Sequence, residues 1–265
     1  MASFISDGLE LAYDDVNPPG AERTVVLVHG FTSNRNEGWK RTGWYSALER
    51  RRWRMVAMDL RGHGESAKPY EAEAYAREAL AGDVQNLVDH LDLGRVDLFG
   101  YSMGARVALA AAAGLGGRVS NLILGGVGAR MLEDREGPQG WERPMAKALL
   151  EPDPSAITDE MLRSFRHFAD EQGEDLRALA ACAAAPVSPP GPEASGGLSM
   201  PVLVVCGARD GLAGDPEPLA QRFALGTAMS LPGCDHFWAI PHAATKAAVF
   251  DFLDGLLEDP FPPRY

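Results

Sequence analysis

The chain has 265 residues, of which 46% are hydrophobic and 23% charged, enough apolar material for one large core without disulfide or metal staples. Lys plus Arg total 25 against 37 for Asp plus Glu, a formal charge of −12. That sign repels phosphate backbones and anionic lipid, so neither nucleic acid nor a membrane surface is an expected partner. Three cysteines (Cys182, Cys206, Cys234) at unrelated spacings make neither a disulfide framework nor a zinc site.

Residues 1–20 lack the basic start and apolar run of a signal peptide, and the longest apolar stretch, Val107–Ala113, is too short to span a bilayer. A soluble cytoplasmic protein is expected. The chain opens as a hairpin, Ser3–Ile5 and Leu9–Tyr13 around an Asp7-Gly8 turn. After Pro18-Pro19-Gly20 comes Thr24–His29, a run whose unbroken apolarity marks a strand covered on both faces. The signature returns at Met55–Leu60, Val96–Phe99, Leu122–Leu124 and Val202–Cys206, with a last strand at Ala228–Leu231. Helices are expected between them, at Trp44–Arg51, Tyr75–Leu91 and the Ala-rich Met103–Ala113, and a final one from His242 to Leu257. Alternating strands and helices predict an α/β fold, a doubly wound and mostly parallel sheet.

The alternation fails between about Gly128 and Leu198. Helical pieces at Arg143–Leu150, Asp159–Asp170 and Asp175–Ala185 are followed by the Pro- and Gly-rich Pro186–Gly197. Residues 128–197 are therefore read as an inserted helical cap, and 1–127 with 198–265 as the core.

The chemistry concentrates in Gly100-Tyr101-Ser102-Met103-Gly104, which fits G-x-S-x-G between an apolar strand and a helix. A sharp strand-to-helix turn strains the central residue and demands side-chain-free neighbours, and it raises Ser102 above the sheet edge, where the following helix aims free N–H groups. A serine needs a base. Of six histidines, His90 and His167 sit within helices, His29 and His63 in Gly-containing turns, and His242 in the first turn of the last helix. His236, in the loop after the last strand, is the expected general base. Asp210, in the loop after Val202–Cys206, is the expected carboxylate behind it, with Asp215 and the adjacent Asp235 as rivals. The Met103 N–H and the N–H of Phe31, in the turn His29-Gly30-Phe31-Thr32, are the expected oxyanion hole. His29 is read as a brace for that turn. Trp39, Trp44, Trp141 and Trp238 are candidate linings of an apolar acyl pocket.

No HExxH, paired CxxC or GxxxxGK[ST] is present, and Gly125–Gly128 does not complete a dinucleotide fingerprint. No metal or cofactor is expected. Together the His29-Gly30-Phe31 turn, the Asp59–Ser66 run, Gly100–Gly104, Gly207–Asp210 and Asp235-His236 resemble the α/β-hydrolase superfamily over nearly the whole chain. The resemblance implies that Asp59–Ser66 is a structural turn and that the insertion before Pro201 shapes a substrate pocket. The implied activity is hydrolysis of a small-molecule carboxylic ester through an acyl-enzyme. Carbon–carbon bond hydrolases, lactonases and perhydrolases of the superfamily share the apparatus. The run Gly100–Arg106 also looks like that of the menaquinone-pathway synthase that eliminates pyruvate, which needs cations for its carboxylates; Arg35, Arg41, Arg130, Arg135 and Arg143 are candidates. A ligand-binding protein on a hydrolase scaffold is the remaining class.

Overall fold

The computed structural model describes residues 2–133, 142–185 and 197–257. Eight strands form one sheet: β1 (Ala2–Ser6), β2 (Leu9–Val16), β3 (Thr24–Val28), β4 (Arg54–Met58), β5 (Val96–Tyr101), β6 (Val119–Gly125), β7 (Val202–Gly207) and β8 (Gly226–Leu231). Their order is β1-β2-β4-β3-β5-β6-β7-β8. The first hairpin joins antiparallel, and every pairing from β4 onward is parallel. Every residue of β5 and of β7 is buried, whereas the edge strand β1 alternates. That contrast is the one expected when helices cover both faces of the central strands and leave the edge half-solvated.

One face of the sheet carries α2 (Arg77–His90) and α3 (Met103–Leu115), which pack Leu87, Val88, Leu109 and Ala112 against Val26, Leu98 and Leu122. The other carries α1 (Trp44–Arg50) with the helix at Ala243–Leu253, around Trp39, Trp44, Phe99 and Val205. Each fully buried Leu or Val contributes roughly 1.5–3 kcal/mol of hydrophobic stabilisation. Trp39 and Trp44 are wholly buried in this second layer, packed edge-on against Phe99 at 4.8 and 4.9 Å. They are core residues and do not line a pocket above the sheet edge, which corrects the sequence expectation. Trp141 lies outside the described residues.

Between β6 and β7 come α4 (Glu142–Leu149), α5 (Glu160–Gln172) and α6 (Leu176–Ala184). Their starts and stops are local. Asp159 accepts from the Leu162 N–H and Asp175 from the Arg177 and Ala178 N–H groups, and α5 stops at Gly173, which takes a left-handed φ of 66°. The three helices bury Met145, Leu149, Phe165 and Leu179 in a cluster with Phe31 and Tyr75. Phe31 follows β3, so this helical layer rests on loops at the C-terminal ends of the parallel strands.

Elements differ from expectation mainly at their ends. The second long helix begins at Arg77, because Ala72–Tyr75 forms a separate 3-10 turn and Ala76 is extended at ψ 142°. A π-helical turn at Asn36–Lys40 and a short helix α7 (Glu217–Ala220) carry no periodicity that a sequence could display. His236 begins a one-turn helix, α8 (His236–Ala239), instead of lying in irregular loop, because Asp235 caps it. The last helix among the described residues, α9, spans Ala243–Leu253.

Candidate active site

Ser102 sits at the junction of β5 and α3 with φ 56° and ψ −115°, one of five non-glycine residues with positive φ among the described residues. Such a conformation costs about 1–3 kcal/mol and persists only where its surroundings enforce it. Here Gly100 and Gly104 do so. A Cβ on Gly100 would lie 2.1 Å from the Gly104 carbonyl oxygen, and one on Gly104 would lie 2.2 Å from the Val28 carbonyl oxygen. The elbow is thus closed backbone to backbone, against itself and against the end of β3.

The Ser102 hydroxyl faces His236, whose Nε2 lies 3.0 Å from Oγ. The opposite ring nitrogen, Nδ1, lies 2.8 Å from Asp210 Oδ2. His236 and Asp210 are 7% and 4% exposed, so their contact is sheltered from water, while Ser102 is half-buried. The second Asp210 oxygen accepts from the Leu212 and Ala213 N–H groups at 3.0 and 2.9 Å. Asp210 therefore caps its own loop with one oxygen and holds the imidazole with the other. Its rivals are occupied elsewhere: Asp215 accepts from the Glu217 N–H, and Asp235 from those of Phe237 and Trp238.

The turn after β3 abuts the same point. A Cβ on Gly30 would stand 3.3 Å from Ser102 Cβ and 4.0 Å from Oγ, so the turn bearing Phe31 packs against Ser102. His29 lies beneath, fully buried. Its Nε2 accepts from the Leu60 N–H at 3.0 Å, so its proton is on Nδ1, which donates to the Gly30 carbonyl at 2.8 Å. It ties the Gly30 turn to the Asp59–Ser66 turn. Burial lowers its pKa to about 4, leaving it neutral and without access to Ser102.

The Asp59–Ser66 turn is held from within. Asp59 accepts from the Arg35 and Glu65 N–H groups and pairs with the Arg35 guanidinium, while Ser66 Oγ donates to the Asp59 carbonyl at 2.6 Å. Arg61 grips Asp83 on α2 through two contacts of 2.7 Å, a buried bidentate pair. None of these groups reaches Ser102.

Other histidines are placed apart from the site. His90, at the end of α2, packs against Phe4 and Tyr13, exposed His167 pairs with Glu171, and His242 caps α9 by accepting from the Ala244 N–H. Of the arginine candidates, Arg35 pairs with Asp14, Asp59 and Glu65, and Arg41 pairs with Glu37. Arg130 lies in a 3-10 turn whose backbone N–H donates to the Ala213 carbonyl. Arg135 and the Arg143 side chain lie outside the described residues. Among the described residues no three His, Cys, Asp or Glu converge to hold a metal ion, and no helix is long and apolar enough to cross a membrane.

The surroundings of Ser102, His236 and Asp210 are aromatic and apolar, through phenylalanines in place of the expected Trp39, Trp44 and Trp238. Phe31 lies 6.2 Å from Phe165, Phe165 lies 5.6 Å from Phe237, and Phe237 lies 5.5 Å from the His236 ring. Met103, Leu212 and Leu162 pack against the same cluster. Trp238 is 69% exposed and stands outside it. Phe165 is one apolar position of an amphipathic helix, and only the docking of that helix brings it to His236.

A family model for the alpha/beta hydrolase fold matches residues 23–176. A Bacillus subtilis (strain 168) protein bearing the name 2-succinyl-6-hydroxy-2,4-cyclohexadiene-1-carboxylate synthase is 36% identical over 45% of this chain and 42% of its own length. The match thus spans less than half of that relative. A pimeloyl-[acyl-carrier protein] methyl ester esterase of Neisseria meningitidis (serogroup A / serotype 4A) is 27% identical over 91% of this chain and 80% of its own. The solved structure of a thermophilic esterase from Thermogutta terrifontis is similar with a TM-score of 0.76 at 27% identity, covering 96% of this chain and 97% of that one.

Proposed function

The chain belongs to the alpha/beta hydrolase family, and from that premise we propose that it is a serine hydrolase cleaving a small-molecule carboxylic ester. One observation carries the reading: the unbroken relay from Ser102 Oγ through His236 to Asp210, at 3.0 and 2.8 Å. Nothing in ligand binding alone requires that relay on a strained elbow.

In the proposed cycle His236 Nε2 takes the Ser102 proton as Oγ attacks the ester carbonyl. The oxyanion that forms accepts from the Met103 and Phe31 N–H groups, each such donor typically contributing about 2.7–4 kcal/mol of transition-state stabilisation. His236 returns the proton to the departing alcohol. A water, deprotonated in turn by His236, then attacks the acyl-enzyme and frees the acid and Ser102. Asp210 holds the Nδ1 proton and stabilises the imidazolium in both halves. We read residues 128–197 as the cap that closes this site, with Phe165 as part of the pocket wall.

The apolar wall and the esterase relatives support an ester without a free carboxylate near the reacting carbon. The run Gly100–Arg106 and the 36% match to the synthase favour a second reading, pyruvate elimination on the same triad. Against it, Arg35 and Arg41 are engaged by carboxylates of their own. The deciding experiment is turnover of p-nitrophenyl esters from acetate to long acyl chains by wild type and Ser102→Ala. Turnover lost in the variant supports the proposal. Absence of turnover on every ester rejects it in favour of carbon–carbon cleavage, elimination or ligand binding.

A further inference from the structure

We propose that Tyr101, the residue between Gly100 and Ser102 in the elbow, is a positioning residue that fixes His236 from behind. Its phenol donates to the His236 main-chain carbonyl at 2.6 Å, and its ring lies 5.6 Å from the imidazole. Tyr101 is 5% exposed. Burial, chiefly, raises its pKa well above the ordinary tyrosine value, so the phenol keeps the proton it donates.

The sheet explains why this residue is available. Tyr101 ends β5, and β6 and β7 separate it from β8, which leads to His236. A side chain crossing that distance needs a cleared path, and β6 supplies one. A Cβ on Gly125 would lie 2.7 Å from Tyr101 Cδ2, and one on Gly126 would lie 2.8 Å from Tyr101 Cζ and 3.2 Å from His236 Cε1. The two glycines make a slot for the tyrosine ring.

Two restraints then hold His236 at its backbone. Asp235 caps α8 from the front, accepting from the Phe237 and Trp238 N–H groups, and Tyr101 takes the His236 carbonyl. A one-turn helix has carbonyls without intrahelical partners, so an outside donor fixes its orientation. The Asp210 contact at Nδ1 turns the ring about its side-chain bonds but leaves the main chain free to shift. Tyr101 removes that freedom, and being covalently next to Ser102 it ties nucleophile and base into one unit.

The inference rests on the serine-hydrolase reading, and the test separates the two. Wild type, Tyr101→Phe and Ser102→Ala are compared for kcat and KM on a p-nitrophenyl ester and for the rate of labelling by a fluorophosphonate. Active-site titration normalises the wild-type and Tyr101→Phe rates to competent sites, so partial unfolding of Tyr101→Phe does not enter, and the Ser102→Ala rate is taken per mole of protein. Expected for Tyr101→Phe is a kcat about tenfold lower with KM unchanged, and labelling slowed to the same degree, as for a misplaced base. Wild-type kcat and labelling in Tyr101→Phe, beside an inert Ser102→Ala, overturn the positioning role and leave the hydrolase reading standing. An active Ser102→Ala overturns both.

Discussion

Phe165 on α5 meets Phe237 on α8 edge to face, with ring centroids 5.6 Å apart, and Phe237 stands at 88° to the His236 ring. A residue of the helices between β6 and β7 thereby reaches His236 through one aromatic intermediary. Removing Phe165 opens the wall without touching the relay. Phe165→Ala is expected to raise kcat/KM for p-nitrophenyl octanoate relative to the acetate by about tenfold, the scale on which apolar pockets discriminate acyl length. A ratio within twofold of wild type would place this wall beyond the substrate's reach.

Asp210 divides its two oxygens between Nδ1 of His236 and the Leu212 and Ala213 N–H groups. Asp210→Asn keeps an oxygen for the loop but offers the imidazole a donor, which forces the proton onto Nε2 and leaves Ser102 without an acceptor. The expected result is a kcat lower by about 10³–10⁴-fold with an unchanged melting temperature. Asp215→Asn, whose carboxylate serves only the start of α7 among the contacts described, is expected to stay within twofold of wild type. Equal losses in the two variants would reassign the carboxylate.

Much of the fold is legible in the sequence, for a physical reason. Parallel strands covered on both faces must be apolar throughout, so Thr24–Val28 and Val202–Gly207 announce themselves. The elbow is legible because strained backbone leaves glycines at fixed spacing. β6 is longer than its apolar run Leu122–Leu124, since Ser120 and Asn121 interrupt the apolarity; Asn121 donates to Asp97 across the strand pair at 2.7 Å, a partner only the sheet supplies. Trp39 and Trp44 join the core and not a pocket for the converse reason. An aromatic residue suits core and pocket alike, and which face of the sheet it joins depends on the docking of helices. Tyr101 carried no signal, because the position before the serine is unconstrained by the motif.

His29 and His63 make stability depend on pH. Burial, as the largest cause, lowers their pKa values from 6.5 to about 4 and about 3, with the charge of His29 adding to the shift of His63. The unfolded chain takes up these protons as pH falls below 6.5, and the folded chain does not until pH 4 or lower. Their contribution is therefore complete above pH 6.5 and is lost as pH falls toward 4, at ~1.4 kcal/mol per pH unit for each histidine. Asp59 and Glu174, whose pKa values burial raises, give slopes of the opposite sign. The difference between wild type and His63→Asn isolates one histidine. Urea denaturation from pH 6.5 to 4.5 is expected to show a slope shallower by ~1.4 kcal/mol per unit in the variant. Parallel slopes would mean that His63 is protonated in the folded protein.

Two glycines on neighbouring helices are expected to respond oppositely to the same substitution. A Cβ on Gly104, in the first turn of α3, would meet the Val28 and His29 carbonyl oxygens at 2.2 and 2.4 Å. Both are backbone atoms, so relief requires the end of β3 and the turn bearing Phe31 to move away from Ser102. Gly104→Ala is expected to destabilise by about 3 kcal/mol, the upper end for overpacking, and to lower kcat more than it raises KM. Gly82, inside α2, has nothing within 4 Å of the added methyl. There only the backbone entropy of glycine is removed, so Gly82→Ala is expected to gain roughly 0.5–1 kcal/mol in urea denaturation with turnover unchanged. If Gly104→Ala were as stable as wild type, the elbow would not be clamped against β3, and the positive φ of Ser102 would need another source.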